Sequence, residues 1–313
     1  MNNEFMKLAE MTEDEAREMI EKLRWPMGVL CPKCGSFKGA YKLESKPESK
    51  NKVRPGVYKC KDCRQKFTVT MGTIFEDSHI PLKKWLLAIY LMNASKKGIS
   101  AHQLHRMLDI TYKAAWFMAH RIRHAMSEKP LGQLLGIVEA DETYIGGKEK
   151  NKHFSKRVKN ARGRSEKLKV PVFALVSRDG QMVAQKTSIT KKNLRNIINE
   201  HVRPDATLIT DAFNVYENIA NDYAGHEVVN HLEKEYVRGD IHTNTVEGWF
   251  SLLKRGVNGT FHHVSEQHLD RYIGEFVHRY NNREKTDNER AQKTIRKTIG
   301  KRLMYKETKK GTG

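Results

Sequence analysis

The chain has 313 residues, with 57 Lys and Arg against 37 Asp and Glu, a net charge of +20 and an isoelectric point near 9.7. Its longest apolar run, Trp85 to Met92, is far short of the roughly 20 residues a membrane span needs, and its acidic N-terminus lacks the charged-then-apolar layout of a signal peptide. These features disfavour a membrane or secreted protein and predict a cytosolic one of two or three domains, whose basic excess favours phosphate backbones as partner.

Thr12-Glu-Asp-Glu15 is a capping box, so residues 1–27 read as an N-terminal helical segment, with a helix from about Glu13 to Leu23 that Pro26 ends. Residues 28–75 contain all four cysteines, as Cys31-Pro-Lys-Cys34 and Cys60-Lys-Asp-Cys63. Two thiolates in each CxxC form one knuckle of a tetrahedral zinc site, and Gly35 suits the tight turn that faces backbone N–H groups toward sulfur. Four cysteine ligands leave no open coordination position, which makes this Zn²⁺ structural. The 25 residues between Cys34 and Cys60 exceed the common ribbon spacing, so a loop over Lys42 to Arg54 must project, while Val57-Tyr-Lys and Lys66-Phe-Thr-Val-Thr read as short strands. Four unrelated buried thiols, or a redox CxxC, are the competing readings.

Residues 76–130 are helical. Apolar positions 82, 85, 86, 89, 90 and 92 follow helical spacing from Pro81 to Asn93. Ser100 with Gln103 opens a short helix to Leu108. A break at Asp109-Ile-Thr111 precedes a longer helix to Met126, and the pair resembles a helix-turn-helix. Its second helix carries Lys113, Arg121 and Arg123, which are expected to contact double-stranded DNA; a plain helical hairpin with a solvated basic face is the alternative.

From residue 131 to 283 the pattern is α+β. Strands are predicted at Ile137–Tyr144, Val170–Ser177, Met182–Thr187 and Ala206–Thr210, with Val228-Val-Asn as a fifth. Arg178-Asp-Gly-Gln181 makes a hairpin turn, and helices cover Lys191 to Glu200 and the stretch after Asp211. Within this region Gly146 to Lys169 is a basic insertion with ten Lys/Arg and two Glu, and beyond it residues 284–313 form a basic C-terminal tail; neither segment has the apolar content to fold alone.

Three acids stand out. Asp141 and Asp211 each end an apolar run, and Glu247 opens an amphipathic helix, at separations of 70 and 36 residues. Carboxylates gathered in a basic protein suit a divalent cation acting on a polyanion. Asn244-Thr-Val-Glu247 is also a capping-box pattern, with Asn244 as cap. Glu247, Ser251 and Lys254 share a helix face opposite Val246, Trp249, Phe250 and Leu253. Strand alternation places Glu142 on the face opposite Asp141, and the residues alone leave open which face is the site.

Taken together, the two CxxC motifs, Phe67-Thr-Val-Thr-Met-Gly-Thr73, Val138-Glu-Ala-Asp141-Glu-Thr-Tyr-Ile-Gly-Gly147, Thr210-Asp211, His242-Thr-Asn-Thr-Val-Glu-Gly-Trp-Phe-Ser-Leu-Leu-Lys254-Arg-Gly256, Gly259-Thr-Phe-His-His-Val264 and Arg279-Tyr-Asn-Asn-Arg283 resemble a bacterial insertion-sequence transposase of the zinc-ribbon, DDE type, with an ISXO2-like transposase domain related to Merlin elements. The resemblance runs from about Cys31 to Arg283. It implies an RNase H-like mixed five-stranded sheet flanked by helices, with Asp141 rather than Glu142, Asp211 and Glu247 as a triad for Mg²⁺ or Mn²⁺ and Lys254 and Arg255 as DNA contacts. Members differ in whether Glu or Asn holds the third position, so Asn244 is a minor candidate. The implied activity is cutting the ends of an element at its terminal inverted repeats and joining them to target DNA, in a nucleoid-associated homodimer or larger assembly. A non-catalytic DNA-binding regulator, or a nuclease that cuts without joining, are the alternatives.

Overall fold

The structure, a computed structural model, describes residues 4–308 except 38, 46–47, 49–51, 128–131, 148–152, 157–168, 179, 213, 217–221 and 230–236. Its elements in chain order are α1 (Glu4–Glu10), α2 (Glu13–Arg24), β1 (Ala40–Lys42), β2 (Val57–Cys60), β3 (Lys66–Thr68), α3 (Leu82–Ala94), α4 (Ala101–Leu108) and α5 (Tyr112–Met126). Then follow β4 (Ile137–Ile145), β5 (Val170–Ser177), β6 (Met182–Lys186), α6 (Lys191–His201), β7 (Thr207–Asp211), β8 (Gly225–Val229), α7 (Asn244–Arg255), α8 (Glu266–Asn281) and α9 (Asp287–Arg296). They fall into two compact units, one of residues 1–126 with 284–309, the other centred on 127–283.

In the first unit, Thr12 and Glu15 form the reciprocal capping box that starts α2 and turns Ala16 and Ile20 into the core. β1, β2 and β3 make an antiparallel sheet in that order, which carries Cys60 at the end of β2. Ser100 Oγ accepts from Gln103 N at 3.1 Å to open α4, and Asp109 closes it in the left-handed region at φ 47°. Thr111 Oγ1 then accepts from Ala114 N at 3.3 Å to start α5, so the turn between the two helices is set by short polar side chains.

The segment read as a basic tail is built into this unit. Thr286 and Glu289 form a capping box, and Ala291 and Ile295 of α9 are buried in the same core as Ile89 and Met92 of α3. Thr294 Oγ1 donates to Asn93 Oδ1 at 3.3 Å. Lys301 Nζ donates to the carbonyls of His124 and Ala125 at 3.2 and 3.0 Å, which satisfies acceptors at the end of α5. Few apolar residues suffice here because they land on a core that other helices supply.

The second unit is a mixed five-stranded sheet in the order β6-β5-β4-β7-β8. β4–β5 and β5–β6 are antiparallel, while β4–β7 and β7–β8 are parallel. Side chains alternate between two cores: Val138, Ala140, Phe173, Leu175 and Leu208 pack with α6, and Val172, Ala174, Val176 and Met182 pack with α7 and α8. This is the RNase H-like arrangement in an α+β chain. The fifth strand runs from Gly225 to Val229, starting three residues before the sequence reading placed it. Most of the Gly146–Lys169 insertion, Asp179 of the hairpin and most of the helix expected after Asp211 lie outside the described residues. Among the described residues, no helix is long and apolar enough to cross a membrane.

Candidate active site and zinc ribbon

The four cysteine sulfurs lie within 4.8 Å of one another, with Cys31 Sγ 3.7 Å from Cys63 Sγ and Cys34 Sγ 3.7 Å from Cys60 Sγ. Zn–S bonds of about 2.3 Å place tetrahedral sulfurs about 3.8 Å apart, so the cage fits zinc. Both knuckles use one backbone device. The residue after the second cysteine is left-handed in each, Gly35 at φ 72° and Arg64 at φ 59°, although only the glycine announces it in sequence. Burial raises the Cys31 thiol, but hydrogen bonds from the backbone of Lys33 and Cys34 and from the Cys34 and Cys63 side chains outweigh it and bring the group down to about 7, while against a backbone hydrogen bond at Ser36 burial and the three neighbouring cysteines push Cys34 up to about 12.

Asp141 and Asp211 stand side by side in the second unit. Parallel register pairs Ala140 with Thr210, and the next residue on each strand is the aspartate. Both point away from the α6 core, toward the α7 side of the sheet. Glu142 joins them: its carboxylate and those of Asp141 and Asp211 lie within 4.8 Å of one another. Strand alternation sends Glu142 to the other face, as expected, where Tyr216 Oη donates to its Oε2 at 2.8 Å, yet just past the stretch of β4 that pairs with β7 its side chain still reaches the pair. The two acids do sit on opposite faces, as alternation predicts, but that does not keep the Glu142 carboxylate away from the pair.

Burial, then the charge of Glu142, then those of Asp211 and Glu247 push the Asp141 carboxyl up to about 8, against a hydrogen bond from Glu142 N. Such crowding is what a divalent cation relieves, and an all-oxygen donor set selects a hard ion such as Mg²⁺ or Mn²⁺. Glu247 lies outside the 4.8 Å group, but its charge acts on both Asp141 and Lys254. Burial lowers the Lys254 ammonium, which the charges of Asp141 and Glu247 partly restore and the charge of Lys169 opposes. Glu247, Ser251, Lys254 and Arg255 are all exposed, while Val246, Trp249, Phe250 and Leu253 are buried, as their spacing on one helix predicts.

The start of α7 differs from the reading. Asn244 is not its cap: it is the first helical residue and is exposed, and the cap position is Thr243. Thr243 Oγ1 donates to Glu247 Oε1 at 3.1 Å. The free N–H groups of the first turn are taken instead by Glu139 of β4, whose Oε2 accepts from Thr245 N at 2.9 Å and Val246 N at 3.0 Å. Sequence reasoning missed Glu139. Its one signal was a charge inside the apolar run that leads to Asp141.

Two of the expected DNA contacts are corrected. Arg121 is buried, with its guanidinium 5.3 Å from the ring centres of both Trp85 and Phe117 and donating to the Glu76 carbonyl. Arg123 is 2% exposed. From Ala115 onward α5 is largely core, so only its first turn, with Lys113 exposed and lying over Tyr305 at 4.9 Å, stays open.

Residues 133–281 match the family model described as ISXO2-like transposase domain, and residues 11–66 match the transposase zinc-ribbon domain. Over 279 residues the chain is 31% identical to a Halobacterium salinarum protein described as an uncharacterized protein in transposable element ISH50, an alignment covering 85% of this chain and 90% of that one. With a four-cysteine ribbon, an RNase H-like sheet and both domain matches in one chain, the protein belongs to the family of insertion-sequence transposases that carry an ISXO2-like transposase domain.

Proposed function

We propose that this transposase cuts element ends and joins them to target DNA at the second unit's carboxylate cluster, with Asp141, Asp211 and Glu247 as its catalytic residues. The observation that supports this most is that Asp141 and Asp211 follow the last paired residues of two adjacent parallel strands, with carboxylates within 4.8 Å of each other and the Asp141 carboxyl pushed up to about 8. Mg²⁺ or Mn²⁺ held there supplies Lewis-acid stabilisation of a phosphodiester and a deprotonated nucleophile. The protein's part is positional. β4 and β7 fix the two aspartates, α7 presents Glu247 beside them, and Lys254 and Arg255 on the exposed end of α7 hold a DNA phosphate. Water is the first nucleophile and frees a 3′-OH, which is the second; both displacements are in line at phosphorus, so one site serves both. The ribbon and Lys113 contribute to holding the element end, and joining two ends calls for at least two chains.

An alanine series at Asp141, Asp211 and Glu247 tests this, with DNA binding and cleavage measured separately on a duplex carrying the element end. Each variant is expected to retain binding and lose cleavage a hundredfold or more, since metal-assisted charge stabilisation supplies several kcal/mol. Wild-type cleavage in all three would end the reading. Transfer of a pre-cut labelled end into plasmid distinguishes a transposase from a nuclease that only cuts.

A further inference from the structure

Glu139 is fully buried, yet its carboxylate is among the most heavily used groups of the second unit. Besides the two backbone N–H groups of α7, its Oε1 accepts from Thr245 Oγ1 at 2.8 Å and from Arg178 Nε at 3.0 Å, with His242 Nδ1 3.4 Å away. Arg178 also donates through Nη2 to the His242 carbonyl at 3.1 Å. One side chain thus ties together β4, the β5–β6 hairpin and the first turn of α7. A buried carboxylate is costly without partners, and here the guanidinium and the positive end of a helix offset its charge.

The placement bears on the site. Glu139 and Asp141 are two residues apart on one face of β4, about 6–7 Å along the strand. Thr245 and Glu247 are two residues apart on α7. Asp141 therefore lies two residues from the clasp on β4, and Glu247 directly follows its last residue, Val246, on α7. A helix normally receives its first N–H groups at the side chain of its own cap residue. Here a strand supplies that acceptor, and the cap residue Thr243 is left to bond Glu247.

We propose that Glu139 is a positioning residue: by clasping the first turn of α7 to β4 it sets the distance between Glu247 and Asp141 at which a divalent cation is gripped. This rests on the reading of Glu247 as a metal-site carboxylate. Glu139 touches neither cation nor DNA. Because Arg178 balances its charge, it acts through geometry rather than through its field.

The test uses the full-length chain and Mn²⁺ alone, with binding followed by the electron paramagnetic resonance of free Mn²⁺ and cleavage measured across a Mn²⁺ series. Glu139→Gln is expected to weaken Mn²⁺ binding about tenfold or more, the usual range for a group that orients a metal ligand, and its cleavage should recover at high Mn²⁺. Thr245→Val removes one bond of the clasp and no charge, so it should shift binding the same way by a smaller factor. If Glu139→Gln and Thr245→Val lower the melting temperature but bind Mn²⁺ as wild type does, Glu139 is only a helix cap and the inference falls. Should Glu139→Gln fail to fold, Thr245→Val decides. Glu247→Gln separates the two levels: wild-type Mn²⁺ affinity in that variant overturns the site reading itself, whereas weakened affinity there with normal affinity in Glu139→Gln overturns the clasp alone.

Discussion

At the scale of the residue, Glu142 shows how the site keeps four carboxylates in a small space. It is 8% exposed, adjoins Asp141 in sequence and is close to Asp211, so it adds repulsion that folding must offset. Tyr216 does part of this through the 2.8 Å hydrogen bond to Glu142 Oε2, and burial and the charge of Glu142 in turn drive the Tyr216 hydroxyl well above its ordinary range. Tyr216→Phe keeps the ring and removes that donor. Its expected cost is about 1.5–3 kcal/mol of stability at neutral pH, the range for a hydrogen bond to a charged group, read as a lower urea midpoint without added metal. An unchanged midpoint would mean the hydroxyl is dispensable. The sequence made Asp141 and Asp211 legible because each ends an apolar run. Arg121 was misread because nothing local distinguishes an arginine on a basic helix face from one laid over Trp85, a ring that α3 brings to it.

Among the elements, those specified by neighbouring residues were legible and those completed from afar were not. The CxxC spacing gave the ribbon, and short apolar runs gave β4 and β5 nearly to the residue. The start of α7 was not legible, because its N–H groups are met by an acceptor 106 residues away. α9 was missed for a similar reason: its own apolar content is small and its core is α3's. Docking α9 leaves a titration. Burial, with repulsion from Lys301, lowers the Lys297 ammonium from an ordinary 10.5 to about 8. Below about 8 the group is charged in folded and unfolded chains alike, and the folded state carries the burial penalty. Between about 8 and 10.5 the folded chain releases the proton first, so stability rises with pH across that window. Lys297→Met should lack this rise. Its unfolding midpoint should exceed the wild type's most at pH 7, and the gap should narrow toward pH 10.

At the scale of the whole molecule, the chain leaves its first unit after Met126 and returns to it at Glu284. Deleting residues 284–313 should therefore damage the ribbon-bearing unit, far away in sequence, and spare the sheet. Loss of Ala291 and Ile295 uncovers Ile89 and Met92, and loss of Lys301 leaves the last carbonyls of α5 without their donor. A buried side chain the size of Ile or Met is worth about 1.5–3 kcal/mol, so losing Ile295 and uncovering Ile89 and Met92 should cost the first unit several. Hydrogen exchange is expected to speed up in α3 and α5 while the amides of β4 and β5 keep their protection. Equal loss in both would show that the sheet also depends on the returning segment.

That return also sets an order on biosynthesis. Residues 1–126 emerge from the ribosome first, but the strip of core that α9 provides is translated only after the whole of 127–283 has been made. A reading frame truncated near its 3′ end thus encodes every cysteine and every acid of the candidate site, yet yields a protein whose ribbon-bearing unit lacks α9.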